Sequence, residues 1–156
     1  MIRIAHRGNL RGPIPNQENT PYYVDAALAA GFHAEIDVWH NGVERDAWWL
    51  GHDYPWYAVP IEWLIDRQEH LWIHCKNFAA LSRLADLERV FNAFWHEHDA
   101  YTVTTRGFIW ANTGQSVGPR TVIVDLPGQT PYHGAYGVCT DYPLLSPCEP
   151  PSASLV

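Results

Sequence analysis

Glu35 and Asp37 stand two residues apart in the run His33-Ala34-Glu35-Ile36-Asp37-Val38-Trp39. As a strand, this run places both carboxylates on one face and Ala34, Ile36 and Val38 on the other. An isolated Glu-x-Asp is usually a solvated strand edge. Here the flanking apolar residues fit a strand buried on both faces, where two carboxylates repel and require compensating positive charge. A hard divalent cation is the economical solution, because Mg²⁺ and Ca²⁺ prefer carboxylate oxygens.

Three further clusters sit where β-prone runs end. His6-Arg7-Gly8 follows residues 2–5, His52-Asp53 follows residues 43–51, and His74 and Lys76 end residues 71–76. Arginine offers a planar fork suited to phosphate oxygens, and Gly8 lets a ligand approach the backbone. Two imidazoles suit the cleavage of a phosphoryl ester. One takes a proton from the attacking oxygen and the other protonates the leaving alkoxide, while a cation and the basic side chains stabilise the charge that develops at phosphorus. The carboxyl ends of strands are where ligands bind in α/β sheets and barrels, so groups at several such ends converge in space.

The elements that must carry these groups alternate early in the chain. Thr20-Pro21 predicts a helix start and Gly31 its stop; residues 60–67 predict a second helix. Asn77 caps a third, which carries Phe78, Leu81, Leu84, Ala85 and Val90. Asn41-Gly42 marks a turn between two strand-like runs. Beyond Val90, residues 91–95, 108–111, 121–124 and 136–140 are strand-like and no helix is convincing. The alternation predicts a parallel sheet. Residues 1–145 read as one domain and residues 146–156, rich in proline, as a loosely ordered tail.

Composition narrows the classes. The chain has 156 residues, 47% hydrophobic and 17% charged, which favours a packed core over disorder. Ten basic against seventeen acidic residues, a net charge of −7, argue against a general nucleic-acid binder. No run approaches the ~20 apolar residues of a membrane span, and the first residues read as a strand rather than a signal peptide. Cys75, Cys139 and Cys148 form no CxxC pair and point to a reduced, cytoplasmic setting. Trp39 and Trp110 are candidates to line a pocket; the other tryptophans read as packing.

Taken in order, these motifs resemble the glycerophosphodiester phosphodiesterases of the phospholipase-C-like phosphodiesterase superfamily. The matching residues are Ile4-Ala5-His6-Arg7-Gly8, Glu18-Asn19-Thr20, Glu35-Ile36-Asp37-Val38, Gly51-His52-Asp53 and Lys76. Gly137-Val138-Cys139-Thr140-Asp141-Tyr142-Pro143 resembles the family's final strand and its Thr-Asp-x-Pro ending. The likeness spans residues 2–143, closely to Lys76 and loosely beyond.

The resemblance implies a TIM-barrel-like fold and one divalent cation, Mg²⁺ or Ca²⁺, on Glu35 and Asp37. It also implies His6 and His52 as the acid–base pair and Arg7 and Lys76 on the phosphate. Glu18 and Asp53 would support them. Where the family carries a third metal carboxylate, two residues before the lysine, this chain has His74, an imidazole better suited to Mn²⁺ or Zn²⁺. The family's insertion after the His-Asp motif is reduced to residues 54–70.

The length lies below the roughly 200-residue floor of a (β/α)8 barrel. The expected fold is therefore an α/β, reduced TIM-barrel-like parallel barrel, with helices mainly in the N-terminal half and few or none in the C-terminal half. Apolar strand surface left bare by missing helices would favour a homo-oligomer. The expected activity is metal-dependent cleavage of a small glycerophosphodiester-like substrate, by water or by the substrate's own hydroxyl in a lyase-type route. The alternative is a non-catalytic phosphate- or carbohydrate-binding module on the same scaffold.

Overall fold

The Thr20 hydroxyl accepts a hydrogen bond from the Tyr23 amide at 3.2 Å and Pro21 fills the first helical turn, so a helix begins where the sequence places it. The computed structural model describes residues 1–44, 46–87 and 91–145; Val90 and the 146–156 tail lie outside the described residues. In chain order the elements are β1 (Ile2–His6), α1 (Pro21–Ala29), β2 (His33–His40), β3 (Trp48–Leu50), β4 (Tyr57–Val59), α2 (Ile61–Ile65) and β5 (Leu71–Cys75). They continue with α3 (Phe78–Ala85), β6 (Asn92–Phe94), β7 (Tyr101–Val103), β8 (Ile109–Ala111), β9 (Thr121–Val124) and β10 (Gly137–Thr140). No helix among the described residues is long and apolar enough to cross a membrane.

The strands form one ten-stranded mixed sheet. Seven of them run parallel in the order β6-β5-β2-β1-β10-β9-β8. β7 adds antiparallel to β8, and the β3–β4 hairpin adds antiparallel to the last residues of β2.

This corrects the expected fold. The sheet is not closed into a barrel, and it is sheet-rich, with three short helices. The physical reason lies in residues 95–108. In place of a helix and a further parallel strand, they supply the antiparallel β7, whose hairpin with β8 uses the edge that a closing ladder would need. Short of a ladder, the two sides meet where Phe94 stacks on Trp110 with centroids 4.5 Å apart and where the Thr105 backbone amide bonds the Ala93 carbonyl at 2.8 Å.

Strand alternation sorts the interior into two layers. On one face Ala34, Ile36 and Val38 of β2 and Leu71, Ile73 and Cys75 of β5 pack under Val24, Leu64, Ala80 and Leu84 of the helices. On the other face Ile4, Trp72, Phe94, Trp110, Val122 and Cys139 pack against one another. Full burial of each large side chain contributes roughly 1.5–3 kcal/mol, which makes this layer a rigid, dry floor. Trp110 belongs to this layer. One step further along the same face the strands carry His6, Glu35, Asp37 and His74.

Candidate functional site

Register assembles the site. His6 of β1 pairs with Glu35 of β2, and two residues on Asp37 pairs with His74 of β5. Glu35 and Asp37 are almost completely buried. The Lys76 amide continues the ladder by bonding the Val38 carbonyl at 2.9 Å. Asn77 then caps α3 through the Ala80 amide and ties itself to the His40 carbonyl, so Lys76 is held between two anchored residues.

The loop between β1 and α1 wraps the carboxylates. Arg7 donates its backbone amide to Glu35 Oε2 at 3.2 Å; its Nη1 lies 3.1 Å from Glu18 and its Nε 3.2 Å from Asp37. Asn19 makes two bonds to Asp37, from Nδ2 to the carboxylate and from the Asp37 amide to Oδ1, both at 2.9 Å. Asn9 Nδ2 bridges Glu18 and Asp141. Arg7 and Asn19 both adopt positive φ, 51° and 60°, so the loop holds strained backbone in order to aim these groups inward.

Asp141, one residue past β10, accepts a hydrogen bond from His6 Nδ1 at 2.7 Å. That bond leaves Nε2 as the imidazole atom facing Glu35, 4.0 Å away. Burial works against charge on His6, but the bond to Asp141 and the field of Glu35 outweigh it, and its pKa lies above the ordinary histidine value. Burial likewise opposes ionisation of Asp141, while its bond to His6 prevails and holds it below the usual carboxylate range.

The two metal-type carboxylates are driven apart. Burial, reinforced by Asp37, raises Glu35 above the usual value against the pull of His6, His74 and Arg7. Burial also opposes charge on Asp37, but His74, Arg7 and Lys76 overcome it and keep that carboxyl well below the ordinary range. Four acidic side chains, Glu18, Glu35, Asp37 and Asp141, thus gather around two basic ones, Arg7 and Lys76, an acidic excess that a bound cation would offset.

Glu35, Asp37 and His74 each offer a ligand atom, and these atoms lie within 4.8 Å of one another. Asp37 Oδ1 is buried without a hydrogen-bond partner, 3.1 Å from His74 Nδ1 and 3.5 Å from Lys76 Nζ. An orphaned carboxylate oxygen among converging donors fits a cation. These are the residues that would hold one.

His52 and Asp53 stand apart from this cluster. They bond each other at 2.7 Å on a more exposed turn and line a pocket of about 310 Å³ with Pro15, Glu18, Gly51, Trp56 and Tyr57. Glu18 is the link, since it faces this pocket and also holds Arg7. Gly51 has φ 142°, and a Cβ there would lie 2.1 Å from the Tyr54 carbonyl oxygen, so only glycine allows the chain to turn His52 toward Glu18. Trp39 donates to the Gly51 carbonyl and lines a separate groove with Trp49 and Pro55.

Of the residues given catalytic, phosphate, metal or supporting roles from sequence, His6, Arg7, Glu18, Glu35, Asp37, His74 and Lys76 enter the one cluster and the His52-Asp53 pair does not. Asn9, Asn19 and Asp141 gained no role from sequence, although Asn19 and Asp141 lie inside quoted motifs. The usable signal for Asp141 was its place directly after a strand; for Asn19 it was residue type, because Asn tolerates the positive φ it adopts better than most non-glycine residues. Compared with family models, with curated proteins and with solved structures, the chain matches none.

Proposed function

We propose that the protein is a metal-dependent phosphodiesterase acting on a small, glycerophosphodiester-like substrate. The observation that carries this reading is the pairing of His6–Asp141 with the buried Glu35–Asp37–His74 set, flanked by Arg7 and Lys76. His6 Nε2 takes the proton of the attacking hydroxyl or water, and Asp141 stabilises the imidazolium that results. Arg7 and Lys76 hold the phosphoryl oxygens. His52 gives a proton to the leaving oxygen from the Glu18 side. Glu35, Asp37 and His74 would hold a divalent cation, which would supply Lewis-acid stabilisation of charge at the phosphoryl group. The net negative charge favours a small substrate over nucleic acid, and the free, buried Cys75 and Cys139 favour a reducing, cytoplasmic setting.

A second reading, phosphate or carbohydrate binding without turnover, draws on His74 standing where the resemblance implies a carboxylate and on the Trp39–Trp49 groove. The test is a panel of glycerophosphodiesters and an activated aryl phosphodiester, followed by ³¹P NMR with each divalent cation. We expect cation-dependent cleavage that falls by about 10²-fold or more in His6→Ala, with a cyclic or open product distinguishing the two attacking groups. Full activity in both His6→Ala and His52→Ala would overturn the assignment; calorimetric binding with no turnover under any cation would establish the second reading.

A further inference from the structure

We propose that the cation site selects a first-row transition ion of the Mn²⁺ and Zn²⁺ class over Mg²⁺ and Ca²⁺, because His74 is held so that an imidazole nitrogen, Nδ1, points at Glu35 and Asp37. This rests on the cation reading above and specifies its chemistry. His74 Nε2 lies 2.8 Å from the carbonyl oxygen of His96. A carbonyl can only accept, so Nε2 is the donor in this contact and Nδ1 is the ring nitrogen left for a cation.

Nδ1 faces the acid pair. It lies 3.1 Å from Asp37 Oδ1 and 3.9 Å from Glu35 Oε1. Two ligands bonded at about 2.0–2.1 Å in a tetrahedral site are roughly 3.3 Å apart, and the two separations bracket that value. The buried, unpartnered Asp37 Oδ1 is an independent sign that something belongs between the three atoms.

The ring cannot easily turn away. It stacks on Phe94 with centroids 5.4 Å apart and planes within 5°. His96, whose carbonyl fixes Nε2, is itself held through Nε2 by Asn112 Oδ1 at 3.0 Å, and Asn112 donates to the Asp99 carbonyl. Such outer contacts orient a ligating imidazole and raise its basicity. Oxygen-seeking Mg²⁺ and Ca²⁺ gain little from a nitrogen donor, whereas imidazole suits the transition ions.

The experiment is titration calorimetry of the chelator-stripped full chain with Mn²⁺, Zn²⁺, Mg²⁺ and Ca²⁺ separately, together with Co²⁺ absorption spectra. Site binding is counted as the stoichiometric step lost in Asp37→Asn. In the wild type we expect Mn²⁺ and Zn²⁺ to bind roughly tenfold or more tighter than Mg²⁺ and Ca²⁺, and Co²⁺ to show bands of nitrogen coordination. His74→Glu, which restores an all-carboxylate set, should reverse or erase that preference with the circular dichroism unchanged. Tighter Mg²⁺ or Ca²⁺ binding in the wild type overturns the selectivity and leaves the cation reading standing. No Asp37-dependent binding of any ion overturns both. The wild-type comparison and the Co²⁺ spectrum decide the matter even if a variant fails to fold.

Discussion

Asp141 and His6 are 135 residues apart in the chain and 2.7 Å apart in space. The β1–β10 ladder, with Ala5 opposite Thr140, brings them together, and the bond determines which imidazole nitrogen serves the site.

Asp141→Asn tests that relationship through pH. The folded pKa of His6 lies above its ordinary 6.5, so the stability it contributes is fully present below pH 6.5 and is lost as pH rises through the folded value. The folded pKa of Asp141 lies below its ordinary 3.8, so its contribution is present above pH 3.8 and is lost as pH falls through the folded value. The stability difference between wild type and Asp141→Asn should therefore plateau between these two pH values and shrink on the alkaline side. Urea unfolding from pH 4 to pH 9 measures it. A difference that stays flat to pH 9 would mean that His6 draws no stability from Asp141.

Asn19, with left-handed backbone, donates one bond to the buried Asp37 carboxylate and accepts another from the Asp37 backbone amide. A hydrogen bond to a charged group contributes about 1.5–3 kcal/mol and a neutral one about 0.5–1.5 kcal/mol, so Asn19→Ala should cost roughly 3 kcal/mol. Asn19→Gly loses the same bonds but relieves the positive φ, and should be about 1 kcal/mol less harmful than alanine. Chemical denaturation of the two variants checks both numbers. Equal effects would show that the backbone conformation at residue 19 is unstrained.

How far the site could be read from sequence depends on which physical rule each residue obeys. Alternation is local, so Glu35 and Asp37 fall on one face of β2 and Thr20-Pro21 starts α1. Register is not local. Nothing in residues 33–40 or 71–75 states that Asp37 sits opposite His74 rather than beside Trp72. Sheet closure is less local still: it turns on the direction of β7, three residues whose sequence, Tyr101-Thr102-Val103, suits either sense of pairing. Reading polar groups at strand ends therefore anticipated which side chains cluster, while the resemblance overstated the architecture, because clustered side chains need neighbouring strand ends and not a closed ring. The same limit explains Asn9, whose partners Glu18 and Asp141 lie on separate segments.

His52 gives the sharpest separation of catalysis from stability. Its ring is 42% exposed and its ionic partner Asp53 more so, and surface substitutions away from special features usually change stability by no more than about 0.5 kcal/mol. His52→Ala should leave the melting temperature of the protein essentially unchanged. If the leaving oxygen takes its proton from this ring, kcat on a substrate with a poor alkoxide leaving group should fall by about 10²–10⁴-fold. On an activated aryl ester, whose phenoxide leaves without assistance, the loss should be much smaller. His6→Ala should damage both substrates, because the attacking group needs activation whichever alcohol departs. Stopped assays on paired alkyl and aryl phosphodiesters measure the ratio. An equal loss on both substrates would place His52 in binding, and would direct the search for the acid toward the carboxyl of Glu18, which lines the same pocket.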